Sequence, residues 1–218
     1  MAALIVFDLD GTLVDSRLDL AGSANRLLAE LGAGPLSVDQ VVGMVGEGAR
    51  VLVGRVLGAA GVRTDLDVAL ARFLTIYDDH LADHTRLYPG ISELLAALED
   101  RAVLAVLTNK PGHHTGRLLD ALDARHHFFE VIGGDARWPR KPDPASLQHL
   151  IATAGVPASR TVMVGDSMVD VETARAAGAR VCIARYGFGQ IPDTATAGAM
   201  VADDPRDLAR LLLPAIDG

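Results

Sequence analysis

Cysteine, aromatic residues, basic clusters and long apolar runs are all scarce in this chain of 218 residues. One cysteine, Cys182, leaves no intrachain disulfide to form, which points to a reducing, cytoplasmic setting. It lies in the apolar run Arg180–Ala184 and reads as a small buried hydrophobe, not a nucleophile. No apolar run approaches the roughly 20 residues of a membrane span, so no membrane partner is expected. No basic n-region or cleavage pattern precedes the first apolar segment, and no secretory signal is expected either. Net charge is −8 and basic residues occur only in short pairs, which argues against nucleic acid as a partner. With 4% aromatic residues but 50% hydrophobic ones, the core must be built from Ala, Val and Leu.

What is present begins at Ala3–Phe7, an apolar run that reads as a buried strand ended by Asp8-Leu9-Asp10-Gly11-Thr12. Two carboxylates spaced i, i+2 at a buried strand exit are expensive unless a cation or an acid/base reaction uses them. The plainer reading is that Asp8 and Asp10 only cap turns. Further apolar runs, each ending in polar residues, follow. Ala102–Leu107 leads into Thr108-Asn109-Lys110, and Thr161–Val164 into Gly165-Asp166-Ser167 with Asp170 beyond. Between them a proline-flanked loop carries Arg140-Lys141-Pro142-Asp143-Pro144.

The length allows one domain carrying an insertion. From Ala102 onward strands and helices alternate. Helices are expected from near Gly112, over 144–154, over 169–177 and over 205–213; strands over 130–133 and 180–184. That alternation predicts an α/β fold, a Rossmann-like α/β/α core with a parallel sheet covered on both faces. Ligands in such folds lie outside the carboxyl ends of the strands, where Asp8, Thr108 and Asp166 fall. From Val14 to about Leu87 the texture is helical, over 17–31, 38–60 and 65–82, without convincing strands. We therefore divide the chain into a core of residues 1–14 and 87–218 and an inserted helical cap of residues 15–86.

The motifs Asp8-x-Asp10-Gly11-Thr12, Thr108 after a strand, Lys141, and Gly165-Asp166-Ser167-x-x-Asp170 stand in the order found in the haloacid dehalogenase superfamily of phosphohydrolases, which this chain resembles over nearly its whole length. The helical insert resembles that family's C1-type cap. The resemblance implies that Asp8 is a nucleophile forming an aspartyl-phosphate and that Asp10 is the acid/base partner. It also implies that Thr108 and Lys141 bind and neutralise the phosphoryl group. Carboxylates around a phosphate need a cation, and hard oxygen ligands select Mg²⁺. Asp8, Asp166 and the backbone carbonyl of Asp10 are the expected ligands, with Asp170 in contact with metal waters. Ser167-x-x-Asp170 also matches a helix capping box, which alone would explain Asp170.

Within the superfamily, both acids intact argue against a dehalogenase. The runs Leu107–Pro111 and Ile132–Asp135 ahead of Arg140–Pro144 look most like the phosphoglycolate phosphatases. That implies a small phosphorylated metabolite as partner, bound by Thr108, Asn109 and Lys141, with the cap segment Gly46-Glu47-Gly48-Ala49-Arg50 near the substrate's non-phosphate end. A simple helix break is the plainer account of those glycines. Sugar-phosphate or amino-sugar-phosphate phosphatases and phosphomutases share most of these features. A non-catalytic phosphate- or partner-binding module on the same fold is the alternative from another class. A monomer and a homodimer both fit. His80 and His84, spaced i, i+4, read as a solvated helix face for want of a third ligand. The pairs His113-His114 and His126-His127 are expected to point apart on helices.

Overall fold

The computed structural model describes residues 3–217. In chain order the elements are β1 (Ala3–Phe7), β2 (Val14–Asp15), α1 (Arg17–Glu30), α2 (Val38–Val42), α3 (Ala49–Ala59), α4 (Leu66–Asp79), β3 (Arg86–Leu87) and α5 (Ile91–Leu98). There follow β4 (Ala102–Leu107), α6 (Gly112–Ala121), β5 (Glu130–Ile132), α7 (Ala145–Ala154), β6 (Thr161–Gly165), α8 (Met168–Ala176), β7 (Arg180–Ala184), β8 (Met200–Ala202) and α9 (Asp207–Asp217).

Strands β5-β4-β1-β6-β7-β8, in that order, form one sheet, and every pairing in it is parallel. All five residues of β1 are buried, as a strand covered on both faces requires. Side-chain alternation sends Leu4 and Val6 into one apolar layer with Leu147, Leu150 and Val171. Ile5 and Phe7 enter the other, with Leu95, Leu118 and Leu212. The chain lays down β1, β4 and β5 in one direction, then returns to place β6 on the other side of β1. Strand order therefore reverses between β1 and β6, the position where open parallel sheets bind ligands. Asp8 N–H still donates to the Val164 carbonyl at 2.8 Å, so the two strand ends are held together there.

Helices α1 to α4 form a layer inserted between β2 and β3, which pair antiparallel as Val14↔Leu87 and Asp15↔Arg86. Buried Asp19 on α1 ties the two ends of the insert, accepting from the His84 and Thr85 amides and from Thr85 Oγ1 at 2.7 Å. We retain the core and cap limits as a proposal; residues 1, 2 and 218 of that division lie outside the described residues. No helix among the described residues is long and apolar enough to cross a membrane.

Several local expectations change. The helix expected over 38–60 is two helices, because Gly46 and Gly48 take φ of 122° and 92°, values that L side chains avoid. Helix α4 stops at Asp79, so His80 and His84 share no helical face; His80 bonds Asp83 instead. The rings of His126 and His127 lie 4.0 Å apart in a 3₁₀ turn and do not diverge; those of His113 and His114 are 5.3 Å apart. Edge strand β8 was not expected. The last helix starts at Asp207 and continues through Pro214, with Ile216 buried.

Candidate active site

Asp8, Thr108 and Asp166 each follow the last residue of a strand, at the same edge of the sheet on both sides of the strand-order reversal. Carboxylate oxygens of Asp8, Asp166 and Asp170 all lie within 4.8 Å of one another, and all three residues are buried. Lys141 reaches into this group from the loop before α7. Its Nζ stands 2.6 Å from Asp170 Oδ1 and 2.9 Å from Asp8 Oδ1. The other oxygen of Asp170 accepts from Ser167 N and from Ser167 Oγ at 2.7 Å. Asp170 is thus both the helix cap that the sequence allowed and the partner of Lys141.

The electrostatics of this group are unbalanced. Burial pushes the Asp8 carboxyl up to about 6; Lys141 works against that shift and Asp170 adds to it. Burial pushes Asp166 to about 8, followed by the charges of Asp8 and Asp170, while the Phe188 and Gly189 amides oppose the shift. Burial disfavours the Lys141 ammonium, but Asp170 and Asp8 outweigh it and hold its pKa above the ordinary range. Three carboxylates facing one ammonium leave net negative charge in a buried space. An additional cation would relieve it, and a donor set made only of carboxylate oxygens fits a hard divalent ion.

Asp10 faces elsewhere. Its carboxylate accepts from Ser16 Oγ at 2.6 Å and from Lys110 Nζ at 3.0 Å on both oxygens. The Asp10 side chain therefore does not join the three-carboxylate group. Gly11, at φ 84°, turns the chain between them, and a Cβ there would stand 2.3 Å from Asp166 Oδ2. Thr108 is anchored by its amide to the Ile132 carbonyl, and its hydroxyl accepts from the Lys110 amide at 3.2 Å.

A cavity of about 50 Å³ opens beside these groups, floored by Asp8, Asp10, Thr108, Asn109 and Lys110. Its roof comes from the inserted helical layer and, apart from Tyr77, is apolar, including Leu20, Val45, Leu52, Phe73 and Leu74. Gly46 and Gly48 line it as well. Asn109 serves as a staple: its Nδ2 donates to the carbonyls of Gly46 and Lys141, both at 3.0 Å.

The structure does not bring Glu47 or Arg50 to the cavity. Arg50 pairs with Asp67 on α4, and Glu47 pairs with Arg55 further along α3. Both pairs are solvent-exposed: Arg50 leaves the first turn of α3 toward Asp67, and Glu47, in the loop before α3, is captured by Arg55.

Sequence reasoning missed three contributors. Tyr77 of α4 receives a hydrogen bond from Lys110 Nζ at 2.6 Å; it belongs to an apolar helical stripe and carried no separate signal. Ser16, which holds Asp10, follows the motif acids in sequence but is a residue type too common at a helix start to be assigned a role there. The turn Gly187-Phe188-Gly189 donates two amides to Asp166 Oδ2, at 2.7 and 3.1 Å. Its paired glycines after an apolar run were the available clue.

A family model described as haloacid dehalogenase-like hydrolase matches residues 5–184, and so spans both strand ends that flank the reversal. The chain belongs to the haloacid dehalogenase-like hydrolases. Among proteins similar to it, the phosphoglycolate phosphatase of Pseudomonas putida is 41% identical over 211 residues, covering 94% of this chain and 78% of that one. The phosphoglycolate phosphatase of Rhodospirillum rubrum is 41% identical over 212 residues, covering 94% and 88%. The crystal structure of a predicted phosphoglycolate phosphatase from Haemophilus somnus superposes with a TM-score of 0.91 at 34% identity, covering 97% of this chain and 98% of that one. This haloacid dehalogenase-like hydrolase is thus an enzyme that groups with the phosphatases of its family.

Proposed function

We propose that the chain is a Mg²⁺-dependent phosphomonoester hydrolase that works through an aspartyl-phosphate on Asp8, with 2-phosphoglycolate as its substrate. The observation that carries this reading is the convergence of Asp8, Asp166, Asp170 and Lys141 at the strand-order reversal, beside Thr108 and a small cavity. Its relatives' names supply the substrate.

In this scheme an Asp8 carboxylate oxygen attacks phosphorus while the bond from phosphorus to the ester oxygen breaks. Asp10 delivers a proton to that departing oxygen. In the second half Asp10 takes a proton from water, the water oxygen attacks phosphorus, and the bond to Asp8 breaks to release inorganic phosphate. Dividing the displacement in two is the benefit of covalent catalysis. Bound by Asp8 and Asp166, with the Asp10 carbonyl as a further ligand, Mg²⁺ would supply the positive charge that lets an anionic ester approach. Lys141 neutralises charge on the transferring group and holds Asp8 in place. The Thr108 hydroxyl, oriented by its bond from the Lys110 amide, donates to a phosphate oxygen.

The cavity favours a small ester. At about 10–15 Å³ per water-sized occupant, 50 Å³ holds roughly three to five such groups, which favours a compact ester over a bulky one. The test is release of inorganic phosphate from 2-phosphoglycolate in Mg²⁺, silenced by EDTA and restored by excess Mg²⁺. Full activity after exhaustive chelation overturns the metal dependence. A wild-type preference of tenfold or more for a hexose phosphate overturns the substrate. Absence of any phosphomonoester hydrolysis would leave the binding-module alternative.

A further inference from the structure

The roof of the cavity is apolar except at one side chain, Tyr77. Its hydroxyl oxygen accepts from Lys110 Nζ at 2.6 Å, and the same ammonium lies 4.5 Å from the centre of the Tyr77 ring. No acceptor for the Tyr77 hydroxyl proton stands within hydrogen-bond reach among the described residues, so that proton is available to an occupant. On its other side Lys110 Nζ holds both oxygens of Asp10 at 3.0 Å. Asp10, Lys110 and Tyr77 thus form a row that runs from the proposed proton donor up into the roof.

We infer that Lys110 and Tyr77 are the specificity residues of this enzyme, forming a receptor for a carboxylate borne on the carbon that carries the ester oxygen. The inference rests on the phosphatase reading above and deepens it by naming the residues that choose the substrate. The geometry of such a substrate supports it. In a 2-phosphoryloxy carboxylate the carboxyl carbon is two bonds from the ester oxygen. A cation that touches the group protonating that oxygen therefore also reaches the carboxylate. Lys110 supplies the charge, and the Tyr77 proton supplies a directed hydrogen bond. Burial pushes the Tyr77 hydroxyl up to about 12, so it keeps its proton at neutral pH.

Lys141 is held by Asp170 and Asp8, and Arg50 by Asp67 outside the cavity; Lys110, itself paired with Asp10, is the cation that lines the cavity together with Tyr77. The remaining roof, with Leu52 and Phe73 over the floor, offers no side-chain partner to further hydroxyls. A polyhydroxylated chain would leave them unpaired, a penalty on the order of tenfold to a hundredfold.

The test compares kcat/KM, in Mg²⁺, for 2-phosphoglycolate, its neutral amide 2-phosphoryloxyacetamide and ethyl phosphate. Wild-type enzyme should prefer the carboxylate over the amide by roughly ten- to a hundredfold, the range of one charge-assisted contact. In Tyr77→Phe that preference should fall about tenfold, with the loss in KM and not in kcat, and with an unchanged thermal midpoint as the check on folding. If wild-type enzyme hydrolyses the amide as well as the carboxylate, the receptor is wrong while the phosphatase reading stands; that comparison needs no variant. If Tyr77→Phe keeps the wild-type preference, Tyr77 serves the fold and the assignment fails. If none of the three esters is hydrolysed, the phosphatase reading itself falls, and the receptor with it.

Discussion

Asp8 shows how far a single side chain here departs from what stability alone would select. It is buried, its pKa is pushed up to about 6, and it faces Asp170 as well as Lys141. Asp8→Asn should therefore bring turnover down to background, because an amide is not a competent nucleophile at phosphorus. The same change should raise the thermal midpoint of the metal-free protein near pH 8, since it removes one of three mutually repelling carboxylates. Wild-type turnover in that variant, with deamidation excluded by mass spectrometry, would sink the covalent scheme. Asp10→Asn should cost roughly 10²–10⁴-fold, the usual worth of acid/base transfer. Cys182 gives a contrasting expectation. Burial pushes its thiol up to about 12, so a thiol reagent should leave the native protein unlabelled and modify one site after denaturation. Rapid native labelling would contradict its placement in β7. The motif acids and Lys141 were legible as residue types in order, because chemistry needs those types. Tyr77 was not, because a buried tyrosine on an amphipathic helix looks like core until its hydroxyl is seen to meet Lys110.

Single loops between the helices and strands decide what the cavity contains. The segment after α2 turns on Gly46 and Gly48, and its carbonyl at Gly46 is fastened to Asn109, which also holds the Lys141 carbonyl. Asn109→Ala removes both bonds at a buried position. It should cost roughly 1–3 kcal/mol of stability and hasten amide exchange around residues 43–48 before it does so in β1. Uniform exchange across both regions would show that Asn109 does not fasten this loop. Arg50, on the neighbouring turn, carries the opposite expectation. Its partner is exposed Asp67, and Arg50→Ala should change kcat/KM for 2-phosphoglycolate by less than about twofold. A tenfold loss would return it to the substrate site. The long strands and their helices were readable from apolar period and turn residues. Three-residue β8 was not, because an edge strand of that length carries too few positions to show a period. The outward aim of Arg50 was not readable either, since a helix phase is set by what its apolar side packs against.

For the molecule as a whole, a net charge of −8 means that attraction for an anionic ester must come from the site itself. Under the proposed Mg²⁺ dependence, the raised Asp8 and Asp166 pKa values would make metal binding a matter of pH. A carboxyl whose folded pKa lies above its unfolded value stabilises the fold while protonated. That contribution is fully present below the unfolded value and is lost as pH rises through the folded one. For Asp8 and Asp166 the folded values are about 6 and about 8. In EDTA their contribution to stability should decline between about pH 4 and 8. The rise in thermal midpoint on adding Mg²⁺ should accordingly be small at pH 5.5 and larger at pH 8.5, as protons cease to compete for the same oxygens. A shift independent of pH would mean that the cation binds elsewhere.

The two short strands β2 and β3 have a consequence of another kind. Val14 pairs with Leu87 and Asp15 with Arg86, and Asp19 ties the Thr85 end back to α1. The helical layer thus departs from the sheet and returns to it at neighbouring points, and in topology it is one very long hairpin loop. Its length is free to vary without disturbing the register of the six strands below. A tight turn in its place would keep the same acids at the same strand ends and remove the roof. Replacing the roof should therefore change which molecules enter the cavity and leave Asp8, Asp166 and Lys141 where they stand.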